Sequence, residues 1–239
     1  MAGTMVHLVV ADMLSQILKD TEIVSPYNIA KFNSDYFIAG NICPDGIMAR
    51  HDYVRDMKKH THFRDGIMDY DFHKKENLAL FRQRLSNFMK ENMKTFQTDS
   101  ERSLYLGYWT HMLTDEKFML EIRPEFLKNI SITGLTEHDM ETFKYFSKDV
   151  DMIDFRLVSE YEGVERIYNV LSHIKPYEIY GMITEQELTG SRNWILKYFF
   201  ETEHKDIVPP VYISYELMQK FINTTVKAIK DKISWQALK

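Results

Sequence analysis

Four short segments of this chain hold residues whose types could do chemistry together. The densest is Tyr105-Leu-Gly-Tyr-Trp-Thr-His-Met-Leu-Thr-Asp115, where His111 and Asp115 stand four residues apart. That spacing brings both side chains to one face of a helix within a single turn. Leu104, Tyr108, Met112 and Phe118 make the surroundings apolar. A carboxylate buried among them costs on the order of several kcal/mol unless it is paired or holds a metal. A plain His–Asp hydrogen bond would satisfy it equally well. The second segment, Phe37-Ile-Ala-Gly-Asn-Ile-Cys-Pro-Asp45, sets a carboxylate directly after a proline, with Gly40 permitting close helix approach. Read alone, it is a helix terminator followed by a Pro-Asp-Gly turn. The third, Lys59-His60-Thr61-His62-Phe63-Arg64-Asp65, is rich in histidine and basic side chains. It suits a phosphate-facing or metal-facing loop, or simply a solvated one. The fourth is His7, set between Val6 and Leu8, where a lone histidine is a ligand or a satisfied core residue.

The elements that must position these residues read as helices. Glycine and proline are scarce, 9 and 6 in 239 residues, and cluster at Pro26, Pro44-Asp45-Gly46, Pro124, Pro176 and Pro209-Pro210. Between them apolar residues recur at three- and four-residue spacing. Val6, Val9, Val10, Met13, Leu14 and Ile17 form a first stripe, ended by Lys19-Asp20. Tyr27 to Cys43 reads as a buried helix stopped by Pro44, and Glu76 to Phe96 as an amphipathic one. Asp99 or Ser100 is the expected N-cap of the helix carrying His111 and Asp115. Thr136 with Asp139 is expected to open a short helix toward Phe146. Gly163 to Ile174, Glu185 to Glu203 and Tyr215 to Ile233 complete the set, with Ser214 capping the last. No alternating strands flank a hairpin turn, so the expected fold class is all-α. Length alone admits one large or two small domains. The absence of a repeat or long linker favours a single multi-helix domain over residues 1–239.

Composition narrows the function classes. The single cysteine, Cys43, forms no internal disulfide. No signal peptide is visible at the start, and no stretch approaches the ~20 apolar residues of a membrane span. A cytoplasmic location is therefore expected. The net charge of −5 and broken basic runs such as Arg55-Asp-Met-Lys-Lys59 argue against nucleic acid as a partner.

Taken in order, His7, Gly40-Asn-Ile-Cys-Pro-Asp45, Thr61-His62-Phe63 and Gly107-Tyr-Trp-Thr-His111-Met-Leu-Thr-Asp115 resemble the zinc-dependent phospholipase C family. Its members are all-α and share their fold with the fungal single-strand nucleases. The resemblance covers about residues 5–118. Residues 143–239 align with nothing and are expected to be a helical extension that shapes or covers the pocket. The resemblance implies a metal-dependent hydrolase of phosphodiesters or phosphomonoesters. One metal would take Asp45, His62, His111 and Asp115, and a second would share Asp115 and take His7. The donor set suits Zn²⁺, one or two ions, and also accommodates Fe²⁺ or Mn²⁺. For a third ion only Glu116, Glu121, Glu137, His138 and Glu141 follow nearby. Two divalent ions on two aspartates leave net positive charge, which attracts a small anionic phosphoester or a phospholipid headgroup. By the same analogy Asp45 is both ligand and acceptor of the water's proton. Lys59 or Arg64 would bind a non-bridging phosphate oxygen, and His60 would stand behind a ligand or shuttle a proton. The competing expectation is a non-catalytic helical binding protein with a structural or vestigial metal site, its aromatic and methionine side chains lining an apolar pocket.

Overall fold

Two helices rich in apolar residues, one near each end of the matched segments, lie at the centre of the molecule. The computed structural model describes residues 1–20, 23, 29–204 and 207–236. Among these are nine α-helices: α1 (Thr4–Leu18), α2 (Ser34–Gly40), α3 (Arg55–Thr61), α4 (Lys75–Met93), α5 (Asp99–Ile130), α6 (Met140–Glu160), α7 (Val164–His173), α8 (Glu185–Ile195) and α9 (Tyr215–Gln236). A 3₁₀ helix spans Cys43–Ala49 and a π-helical turn Leu196–Glu201. No strand forms among the described residues; Ile23–Ile29 and Ile179–Ile183 are isolated bridges. The fold is all-α, as expected. No helix among the described residues is long and apolar enough to cross a membrane.

α1 is buried on nearly every side, from Met5 to Leu18, because it packs on α2, α5, α6, α7 and α9. α5 is buried along Leu104–Asp115 and again at Phe118, Ile122, Phe126 and Ile130. Each fully buried side chain of this size contributes about 1.5–3 kcal/mol. α9 lays Met218, Phe221, Ile222, Val226 and Ile229 against these two helices. Ser214 caps it, accepting from Leu217 N at 3.1 Å.

Several boundaries differ from the sequence expectation for local reasons. Tyr27 and Pro26 lie outside the described residues. Among the described residues of the helix expected over 27–43, α-helix is confined to α2, because Asn33 accepts from Tyr36 N at 3.2 Å and so caps it there. Pro44 does not end helical structure; it opens the 3₁₀ turn, where a missing N–H is harmless. The N-cap of α5 is Thr98, in a capping box with Glu101. Asp99 instead accepts from Ala30 N and Lys31 N, at 3.2 and 2.9 Å. Pro124 sits inside α5 without ending it, since the apolar stripe continues past it to Ile130. The helix opening after Asp139 is long rather than short, and the helix expected over 185–203 switches to π geometry at Leu196.

Two long-range anchors hold α1. Its N-cap, Gly3, has no side chain to cap with. Asp154 of α6 does this instead, accepting from Met5 N at 3.2 Å and Val6 N at 3.3 Å. Buried Asp12 accepts from Arg166 Nε at 2.7 Å and Nη2 at 2.6 Å, and from Tyr161 Oη at 2.7 Å.

Candidate metal centre

Four elements bring the five candidate ligands together: His7 from α1, Asp45 from the 3₁₀ turn, His62 from the end of α3, and His111 with Asp115 from α5. Asp115 Oδ1 lies 3.3 Å from His7 Nε2, and Asp115 Oδ2 lies 3.6 Å from both His62 Nε2 and His111 Nε2. Asp45 Oδ1 is 3.3 Å from His62 Nε2. The rings of His7 and His111 stack at 3.6 Å, 3° from parallel. Ligand atoms of His7, His111 and Asp115, and of Asp45, His62 and His111, each lie within 4.8 Å of one another.

The imidazoles are aimed by their other nitrogens. His111 Nδ1 donates to Asn41 O at 2.7 Å, and His62 Nδ1 to Lys58 O at 2.8 Å. A carbonyl only accepts, so the proton is on Nδ1 and each Nε2 turns a lone pair toward the cluster. Thr61 Oγ1 donates to Pro44 O at 2.8 Å, tying α3 to the turn that carries Asp45. α3 ends in a Schellman motif, with Phe63 N on His60 O at 3.0 Å and Arg64 N on Lys59 O at 2.8 Å. Phe63 occupies the left-handed position, φ 56°, where glycine is usual. Its ring packs on Phe88 and Tyr108 at 5.0 and 6.0 Å, which holds the turn that presents His62.

His7 Nδ1 and Nε2, His62 Nε2, His111 Nε2 and Asp115 Oδ2 are buried and make no hydrogen bond. Buried polar atoms are normally satisfied, because leaving one unpaired costs about 1–3 kcal/mol. Four of these atoms, His7 Nε2, His62 Nε2, His111 Nε2 and Asp115 Oδ2, lie among the clustered donors, and such a set fits a divalent cation with nitrogen and oxygen preferences. The charge states suit that role too. Burial, reinforced by neighbouring His111, lowers the His7 pKa to about 4. Burial likewise lowers His62 to about 4, against the pull of Asp45. Both rings are therefore neutral near pH 7. Burial alone would raise Asp45, but the Lys58 ammonium beside it outweighs that and holds the carboxyl well below the usual range.

Three residues of the cluster, His7, Asp45 and His111, line a cleft of about 720 Å³ together with Lys58. The same cleft is lined by Phe146, Val150, Asp151, Trp194, Ile195 and Phe199, all from the half of the chain that carries none of the four motifs. The sequence places a pocket-shaping role on residues 143–239 but singles out none of these six, because nothing local distinguishes them from core.

The auxiliary residues expected from the sequence do not reach the cleft. Lys59 pairs with Asp56 at 2.7 Å. Arg64 is buried on Asp69, its guanidinium 5.1 Å from the Phe72 ring centre. His60 is exposed and pairs with Asp65 at 2.9 Å. The groups standing behind the imidazoles are Asn41 O and Lys58 O, and the lysine in the cleft is Lys58. Glu116, Glu121 and Glu137 pair with Arg82, Lys117 and Arg123, and His138 packs on Tyr70.

The family model of zinc dependent phospholipase C matches residues 6–116. This stretch contains all five clustered residues and bears out the resemblance carried by the four motifs. No curated protein and no solved structure matches the chain.

Proposed function

We propose that this chain is a zinc-dependent hydrolase of small anionic phosphoesters, with Asp45, His62, His111 and Asp115 holding one ion and His7 with Asp115 a second. The observation that carries this reading is the set of buried ligand atoms without hydrogen bonds beside an open cleft. An imidazole nitrogen has one lone pair, so His111 Nε2 serves one ion only. Asp115 has two oxygens, and they face different histidines, which suits it to the shared position. Fe²⁺ or Mn²⁺ would find the same donors acceptable.

A divalent ion bound here acidifies water and draws charge from a phosphoryl oxygen. The chain's own residues do the rest. Asp45, held ionised and open to the cleft, accepts the proton of the attacking water. Asn41 O and Lys58 O keep His111 and His62 in the tautomer whose Nε2 faces inward. Phe146, Val150, Trp194, Ile195 and Phe199 exclude water around the substituent on phosphorus. In this reading residues 1–239 form one domain, and residues 143–239 supply the wall of the active-site cleft.

The test is metal content by plasma mass spectrometry on protein purified without chelator, beside the His111→Ala and Asp115→Ala variants. Hydrolysis of p-nitrophenyl phosphate and its bis ester is followed in parallel. One to two equivalents of zinc, lost in both variants, with activity abolished by chelation and restored by zinc, is the expected result. No metal after reconstitution would leave the helical binding protein as the better account.

A further inference from the structure

We infer that Lys58 is the phosphoryl clamp of this centre: a divalent cation taking Asp45 releases the lysine, whose ammonium then holds a non-bridging oxygen of the substrate. This rests on the hydrolase reading above.

Lys58 Nζ lies 2.6 Å from Asp45 Oδ1, the same oxygen that faces His62 Nε2 at 3.3 Å. A cation held between Asp45 and His62 therefore competes directly with the ammonium for one oxygen. Like charges at that separation repel, and the doubly charged ion, with imidazoles to hold it, prevails. Among the described residues Lys58 has no other ion-pair partner; its remaining near contact is Met48 Sδ at 3.6 Å. The displaced side chain has a flexible four-carbon stem and opens into the cleft it already lines.

Lys58 is also the only lysine or arginine among the described residues lining that cleft. The acidic groups Asp151 and Asp154 also line it, and neither can hold an anion. A phosphoester oxygen pointing away from the metals needs a cation, and Lys59 and Arg64 are committed to Asp56 and Asp69. Lys58 is fixed relative to the metal ligands, because its own carbonyl holds His62 Nδ1 at 2.8 Å. The arrangement selects for phosphoester anions over neutral esters or amides.

Two titrations test this on the wild type, Lys58→Met and Lys58→Arg: zinc into the metal-free protein, and inorganic phosphate into the zinc-loaded protein. In Lys58→Met zinc affinity is expected to be unchanged or higher, since a competitor for Asp45 is gone. Phosphate affinity is expected to fall at least about tenfold, the scale of one charge-assisted hydrogen bond, and Lys58→Arg to recover most of it. Phosphate affinity within about twofold of wild type in Lys58→Met overturns the inference while leaving the metal centre intact. A parallel loss of zinc affinity would mean that the lysine merely props Asp45, and overturns it as well. A wild type that takes up no zinc overturns the hydrolase reading and this inference with it.

Discussion

Gly40 of α2 and Gly107 of α5 face each other with no side chain between the two backbones. A Cβ on Gly40 would stand 2.9 Å from Gly107 Cα and 2.0 Å from Leu104 O, and a Cβ on Gly107 2.1 Å from Phe37 O. The next residue after Gly40 is Asn41, whose carbonyl holds His111, one helical turn beyond Gly107. The closeness of these helices therefore sets the distance between the turn carrying Asp45 and the helix carrying His111 and Asp115.

Gly40→Ala or Gly107→Ala is thus expected to push α2 from α5. Overpacking of this kind costs about 1–3 kcal/mol. Because the obstacle is backbone rather than a flexible side chain, the upper end of that range is expected, with a fall in the urea midpoint. Zinc affinity should drop as well, because the Asn41–His111 hydrogen bond lengthens. An unchanged midpoint in both variants would contradict the close crossing.

The two ions of the proposed centre are unequally held. His7→Ala should leave the four-ligand position filled and reduce zinc from about two equivalents to about one, because it removes a ligand of the weaker position only. His111→Ala should remove the tighter ion. Calorimetric zinc titration of the two variants separates these outcomes, and identical losses would point to a single shared ion.

Acid should destabilise the metal-free protein. Between their unfolded value of 6.5 and the folded value of about 4 for His7 and His62, the unfolded chain binds more protons. Stability from these two rings is therefore complete above about pH 6.5 and is lost as pH falls toward 4. Asp154 acts oppositely: burial raises it to about 7, so it costs stability as pH rises from its unfolded value of 3.8 toward 7. Two groups against one leave a net loss on acidification, on the order of a few kcal/mol at about 1.4 kcal/mol per pKa unit. Asp45, held low by Lys58, contributes above its unfolded value and loses that contribution as pH falls below it. Urea unfolding at steps from pH 7 to 4.5 checks the slope, and a flat profile would mean that the buried rings carry protons in the folded state.

Much of the architecture was legible because helical periodicity is a local property. α1, α4, α7 and α9 lie where apolar residues recur at three- and four-residue spacing, and Ser214 caps α9 as its position suggested. The misreadings were at boundaries, where tertiary partners decide. Asp99 was a sound N-cap candidate by type, but Ala30 N and Lys31 N engage it. Pro124 marks a helix end by propensity, yet burial of Phe126 and Ile130 carries α5 past it.

By itself the sequence determined which residues could be ligands: one histidine–aspartate pair on a single helical face, and three more candidates in a fixed order along the chain. Only the tertiary structure decided that these five meet, and which cation stands beside them. Lys58 and Lys59 are adjacent, and about 100° of helical rotation separates their side chains. The docking of α3 against the Pro44 turn directs Lys58 to Asp45, whereas Lys59 pairs with Asp56 one turn earlier on the same helix. The membership of the apolar wall from Phe146 to Phe199 was invisible for the same physical reason: whether a side chain lines a cleft or fills a core depends on what packs opposite it, and that partner is remote in sequence.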